Sequence, residues 1–226
     1  MPPFVDKGYY RKRVSNRTIK TMNRTVRLLT FTLLAFFSSW MAFAQSQTEL
    51  LDELLQKNRT IQSIESPFVQ KHTLSFMNEP LVSSGIFYYV HPDKLLWHQQ
   101  EPSEYALILN GNTITRSDED DTQSSNASGL RNSWIRKFLL GTIDGSLFND
   151  DDFETQIQKQ SEWIVVSLTP QSQKIRKRVE SIEMKFDRQS ALLYELKILE
   201  AGGDELKISF SAQKINEPIN VNKFTP

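Results

Sequence analysis

The chain has 226 residues, with 27 Lys or Arg, 27 Asp or Glu and no cysteine. Its length suits one domain, and 38% hydrophobic with 11% aromatic residues is enough for a sizeable core. The lack of cysteine excludes disulfides, a thiolate nucleophile, a thiolate metal site and a lipidated N-terminal Cys. The charge balance is uneven along the chain. Residues 1–44 hold eight of the basic residues and one acid, Asp6, which leaves 19 basic and 26 acidic residues and a net charge of −7 for the rest. An acidic body lacks the basic footprint that nucleic acid or an anionic membrane surface requires.

Residues 28–44 read LLTFTLLAFFSSWMAFA, an uncharged apolar run preceded by Arg24 and Arg27 and ending Ala42-Phe43-Ala44 before Gln45. A basic region, an apolar region and a small-x-small site in this order predict a signal peptide cleaved after Ala44. The run is at the lower limit for a membrane span, about 17 residues. Met22 begins an ordinary signal peptide, so it is the expected start of translation. The expected functional domain is then 45–226, exported to the periplasm of a Gram-negative bacterium.

Leu50, Leu51, Leu54 and Leu55 share one helical stripe, predicting a helix over about 48–58. Strand patterns follow. Phe68, Gln70, His72, Leu74 and Phe76 occupy one parity of 67–77; 86–90 is aromatic and β-branched; Leu95 and Trp97 share a face of 94–100. Asn110-Gly111 predicts a hairpin turn between 105–109 and 112–116. Pro80, Pro92 and Pro102 are expected outside central ladders. The polar stretch 117–130 predicts a solvated loop. A second helix is expected over about 133–140, with Trp134, Ile135, Phe138 and Leu139 on its apolar face and Gly141 able to end it.

The C-terminal half alternates cleanly: Ile164, Val166 and Leu168; Ile182, Met184 and Phe186; Leu192, Tyr194, Leu196 and Ile198; Leu206, Ile208 and Phe210. Glu183, Lys185, Glu195, Lys197, Glu205 and Lys207 take the other parity. Such alternation predicts an antiparallel meander with one apolar and one wet face. About nine to eleven strands and two short helices imply a mainly β protein, a curved antiparallel sheet forming a half-open β-barrel covered by short helices. Alternation alone leaves open whether the inward side chains fill the space or leave a cavity.

No catalytic constellation stands out. HExxH, GxSxG and Gly-rich phosphate loops are absent, and His72, His91 and His98 lack a third ligand at metal-binding spacing. The acidic group Asp150, Asp151, Asp152 and Glu154 reads as a loop before a strand. An enzyme, a metal and a cofactor are therefore not expected.

From Ile64 the order Phe68-x-Gln70, Gly85-x-Phe87, Pro92 with Leu95 and Trp97, Pro102 and Asn110-Gly111 resembles the LolA family of periplasmic lipoprotein carriers. Trp163, Leu168 and Pro170, with Gly203-Asp204 before the last long strand, agree in style. The resemblance implies an apolar cavity for acyl chains under a helical lid. It implies a monomer that carries acylated cargo, a lipoprotein or a glycolipid, from an inner-membrane exporter to an outer-membrane acceptor. On parity, Phe68, Phe87, Leu95, Trp97, Ile182, Met184 and Phe186 would line the cavity, and Trp134, Phe138 and Leu139 would form the lid. The family typically has Arg before the Pro of the third strand, a residue associated with controlled cargo handling. Here that position is His91, a candidate for altered cargo selection or release. A lipid-binding sensor or accessory module of the same fold is the alternative.

Overall fold

The protein is described by a computed structural model that covers residues 47, 49–118, 120–126 and 130–225. The predicted signal peptide, including Met22 and the Ala44–Gln45 junction, lies outside the described residues, as does the side chain of Trp134.

A helix, α1, occupies residues 49–58 and buries Leu50, Leu54 and Leu55, the predicted stripe. Six strands follow: β1 (Ser63–Thr73), β2 (Leu81–Val90), β3 (Lys94–Glu101), β4 (Tyr105–Asn110), β5 (Thr113–Asp118) and β6 (Thr122–Asn126). Helix α2 (Leu130–Asp144) and a 3-10 turn (Ser146–Asn149) lead to β7 (Phe153–Gln160) and β8 (Trp163–Pro170). After the short α3 (Gln173–Arg176) come β9 (Val179–Asp187), β10 (Leu193–Glu200), β11 (Glu205–Phe210) and the two-residue β12 (Lys214–Ile215). A second 3-10 turn spans Val221–Phe224.

All twelve strands belong to one antiparallel sheet ordered β6-β5-β4-β3-β2-β1-β11-β10-β9-β8-β7, with β12 on β1. The chain's first strand pairs with its late strand β11, Phe68 opposite Phe210, which joins the two halves. No pair joins β6 to β7 among the described residues, so the curved sheet is not closed. The Asn110-Gly111 turn forms as expected, with Gly111 at φ 58°, a conformation that favours glycine.

Several sequence expectations need correction. The stretch 117–130 is not simply a loop: Thr113–Asp118 pairs with Thr122–Asn126, with Thr115 and Ser124 hydroxyls 2.8 Å apart. Polar side chains that bond across a ladder support a strand without apolar alternation. Helix α2 runs through Gly141 to Asp144. Gly141 serves close packing instead, since a Cβ there would stand 3.2 Å from that of Leu147. The left-handed glycine that follows α2 is Gly145, φ 77°, where a Cβ would collide with the Leu55 side chain. β1 ends at Thr73, so Leu74 and Phe76 leave the inner face, and Phe76 is 79% exposed. In β10 a bulge between Leu193 and Glu195 shifts the parity. Tyr194 consequently turns outward and stacks on Trp163, ring centroids 4.6 Å apart.

The inner face of the sheet and the helices form the main core. A smaller cluster lies on the outer face, where Tyr88, Leu96 and Ile108 are covered by Phe224. The Asn110 amide donates to the Phe224 carbonyl at 3.2 Å, and the Lys223 ammonium sits 4.4 Å over the Tyr88 ring. This explains why 86–90 is apolar without a break: both faces of that strand are covered there. Elsewhere the outer face is charged. Glu195, nearly buried, accepts from Lys185 at 2.9 Å and pairs with Lys207 at 2.7 Å, while Lys197 pairs with Glu205 at 2.8 Å. Burial pushes the Glu195 carboxyl up, but the hydrogen bonds from Lys207 and Lys185 outweigh it and leave the group below the usual carboxylate range.

Candidate functional site

The middle of the sheet encloses a cavity of about 310 Å³ between the inner face and the helices. Its wall is built by parity. Phe87 stands opposite Trp97, and Trp97 opposite Leu107, so β2, β3 and β4 deliver one inward row. Leu196 opposite Ile208 and Ile198 opposite Leu206 deliver the facing row from β10 and β11. Phe138, Leu139, Thr142 and Ile143 close it from α2, and Asn58 and Ile61 from the end of α1. The volume is at the lower end for small-molecule pockets, about 300–1,000 Å³.

An aromatic group forms one part of the wall. Trp97 stacks on Phe68 with centroids 3.8 Å apart, and Phe87 and Phe210 meet edge-on at 5.9 Å. Trp97 also meets Phe87 at 6.2 Å and Phe210 at 6.3 Å, both steeply inclined. Offset and edge contacts of this kind fix ring orientation and keep the wall in shape. The polar groups are few and mostly paired internally. Ser66 donates to the Ser211 carbonyl at 3.2 Å, Thr142 to the Phe138 carbonyl at 2.8 Å, and the Gln213 amide to the Leu193 carbonyl at 2.6 Å.

Of the residues singled out from the sequence, Phe87, Leu95, Trp97, Phe138, Leu139 and Phe186 lie on the cavity wall. Phe68 lies behind Trp97 and supports it. Ile182 and Met184 are not on the wall: both are buried in the main core, the same cluster that holds Leu54 and Leu55 of α1 and Leu147 and Phe148 of the Ser146–Asn149 turn. Trp134 belongs to α2 by backbone. Sequence reading did not assign Leu107, Leu196, Ile198, Leu206, Ile208 and Phe210 to the wall, although all but Leu107 share the alternating parity of β10 and β11. The signal was present, but which strands neighbour the β1–β4 sheet was not.

His91 occupies the exposed turn between β2 and β3 and is joined to Pro92 by a cis peptide bond. Its backbone N–H donates to the Gln62 carbonyl at 2.8 Å, and its Nδ1 lies 3.3 Å from the Tyr89 hydroxyl. Burial, then the charges of Asp144 and Asp93, push the Tyr89 phenol up to about 12, so it remains a neutral donor. A polar recess of about 510 Å³ adjoins this corner, between Pro92, Asp93 and Asn112 on the turns and Ser133, Arg136 and Asp144 on α2. Two attachments hold α2 here: Arg136 Nε donates to the Gly111 carbonyl at 3.3 Å, and Lys137 pairs with Asp150 and, at 3.5 Å, with Asp152. The other histidines are apart, His72 3.8 Å from Glu200 and His98 3.0 Å from Glu104. Among the described residues no three His, Cys, Asp or Glu side chains gather as a metal would require.

The sequence profile of the family described as outer membrane lipoprotein carrier protein LolA matches residues 59–226. The chain belongs to the LolA family. An outer-membrane lipoprotein carrier protein of Pseudomonas putida strain GB-1 is 22% identical over 203 residues, covering 89% of this chain and 94% of that one. Its counterpart in Pseudomonas entomophila is 22% identical over 202 residues, 89% and 93% of the two chains. Among solved structures, the Nitrosomonas europaea LolA superfamily protein NE2245 aligns at 11% identity and TM-score 0.42, over 77% of this chain and 97% of that one. The Pseudomonas aeruginosa MucA/MucB complex aligns at 14% identity and TM-score 0.49 over 79% of this chain, which spans 60% of the solved one. The LolA family is one of carrier and binding proteins.

Proposed function

We propose that this chain is a periplasmic carrier that shields the acyl chains of a lipoprotein or other acylated cargo on the way to the outer membrane. The observation that carries the reading is the apolar cavity under α2, in a chain of the LolA family. Each methylene of an acyl chain costs about 0.8 kcal/mol to leave in water. A wall of Phe87, Trp97, Leu107 and Leu206 replaces that water with apolar surface, and no bond need form or break. α2 is the lid: it contributes Phe138 and Leu139 to the cavity, and its polar attachments at Arg136 and Lys137 can be exchanged for water when it moves. An inner-membrane exporter would load the carrier and an outer-membrane acceptor unload it. Export follows from the segment ending at Ala44, with translation from Met22.

His91 stands where the family typically has Arg. Its bond to Tyr89 replaces the several charge-assisted bonds a guanidinium could make. His91 is thus the candidate for altered cargo selection or release, and His91→Arg should slow cargo release; identical release rates would remove this role. The function itself is tested by native mass spectrometry of the exported protein with lipid extraction. A mature mass beginning at Gln45 with an acylated species bound is the expected result. A protein that stays empty when offered lipoproteins and glycolipids would contradict it.

A further inference from the structure

Asn58 is an exception in the cavity wall. It sits at the end of α1, only 6% exposed, among the apolar lining residues. Its Oδ1 is buried and has no hydrogen-bond partner; among the described residues the only other such side-chain atom is His72 Nε2. His72 at least faces a carboxylate, that of Glu200. The other buried polar side chains of the wall, Ser66 and Thr142, use backbone carbonyls of the fold itself. A buried amide oxygen left unpaired is unfavourable in an empty protein and favourable only when a donor reaches it. The oxygen accepts and does not donate, so the partner must carry an N–H or O–H. Rotation about the last torsion of Asn58 is soft, and it can bring the oxygen round to the cavity side.

We propose that Asn58 selects acyl cargo bearing a hydrogen-bond donor close to the chain, either a hydroxyl on the acyl chain or the N–H of an amide-linked acyl group. The proposal rests on the carrier reading and narrows it. Plain ester-linked chains satisfy the apolar wall but leave the amide oxygen unpaired. Sites that hydrogen-bond a ligand group reject the analogue lacking it, because their own polar group is then stranded.

The test is calorimetric titration of the delipidated exported protein with two matched pairs: 3-hydroxymyristate against myristate, and N-myristoylglycine against its ester analogue, O-myristoylglycolate. The expected result is a preference of about tenfold for the donor-bearing member of at least one pair. The hydroxyl pair responding alone identifies a hydroxyacyl cargo; the amide pair responding alone identifies an amide-linked one. In Asn58→Leu the preference should vanish, and the variant should melt no lower than the parent because a stranded polar atom is gone. Equal affinity within both pairs for the parent protein, or a preference retained in Asn58→Leu, overturns the role of Asn58 and leaves the carrier reading intact. Failure of all four ligands to bind overturns both.

Discussion

Two parts of the same inner face end differently. Under β8 and β9, Ile164, Val166, Leu168, Ile182 and Met184 are at most 1% exposed, and the region is solid. Along β3, β4, β10 and β11, the equally apolar Trp97, Leu107, Ile198 and Leu206 stay half-buried around empty space. The strands do not differ in pattern; what differs is the cover. α1 and the Ser146–Asn149 turn lie over the first part, with Phe148 edge-on to Phe186 at 6.0 Å and Lys57 reaching the Gln189 carbonyl at 3.3 Å. α2 bridges the second part and fills it incompletely. An apolar face thus becomes core or cavity according to what the rest of the chain lays upon it.

Substitutions separate the two parts. The largest effect is expected in the solid one: Met184→Ala should lower stability by about 3–4 kcal/mol, as large-to-small changes in a filled core do, with little change in acyl binding per folded molecule. Denaturant titration and a fatty-acid probe together check this. Gly145→Ala comes next, at about 2–3 kcal/mol, since a Cβ meets Leu55 and the backbone is left-handed. It would loosen the α1–α2 contact and show whether the cover of the solid part and the lid of the cavity are coupled.

Glu195→Gln tests the outer face against the inner. It should cost about 2 kcal/mol at neutral pH, because the carboxylate is buried between two partly exposed lysines. The folded carboxyl titrates below its unfolded value, about 4.3 for Glu. Its contribution is therefore complete above that pH and is lost as pH falls through the depressed folded value. The gap between parent and variant should close on acidification, as thermal melts at a series of pH values would reveal. The smallest stability effect belongs to the cavity: Leu206→Ala should cost about 1 kcal/mol or less, since its side chain borders space already empty, yet weaken acyl binding several-fold.

Much of the sheet was legible from residues alone. The alternation of Ile182, Met184 and Phe186 against Glu183 and Lys185 dictates the faces, and Asn110-Gly111 dictates a turn. The hairpin of β5 and β6 was not legible, because its stability comes from hydroxyl pairs across the ladder and not from apolar period. Tyr194 was misplaced because one bulge inverts parity. Ile86 and Tyr88 could not be assigned until Phe224, far along the chain, was seen to cover them. Ile182 and Met184 were expected on the cavity wall because parity tells which way a side chain faces; only the packing of the rest of the chain tells what it meets. Asn58 carried no signal at all, since an unpaired atom is defined by its surroundings.

The most direct test places one tryptophan in each environment. In two variants, all tryptophans except Trp97 or except Trp163 are changed to Phe, and each exported protein is titrated with a fatty acid carrying a nitroxide on its chain. The account predicts saturable, one-to-one quenching of Trp97 on the cavity wall and little quenching of Trp163, stacked on Tyr194 outside. Equal quenching of both, or none that saturates at Trp97, would contradict an acyl chain lying in the cavity.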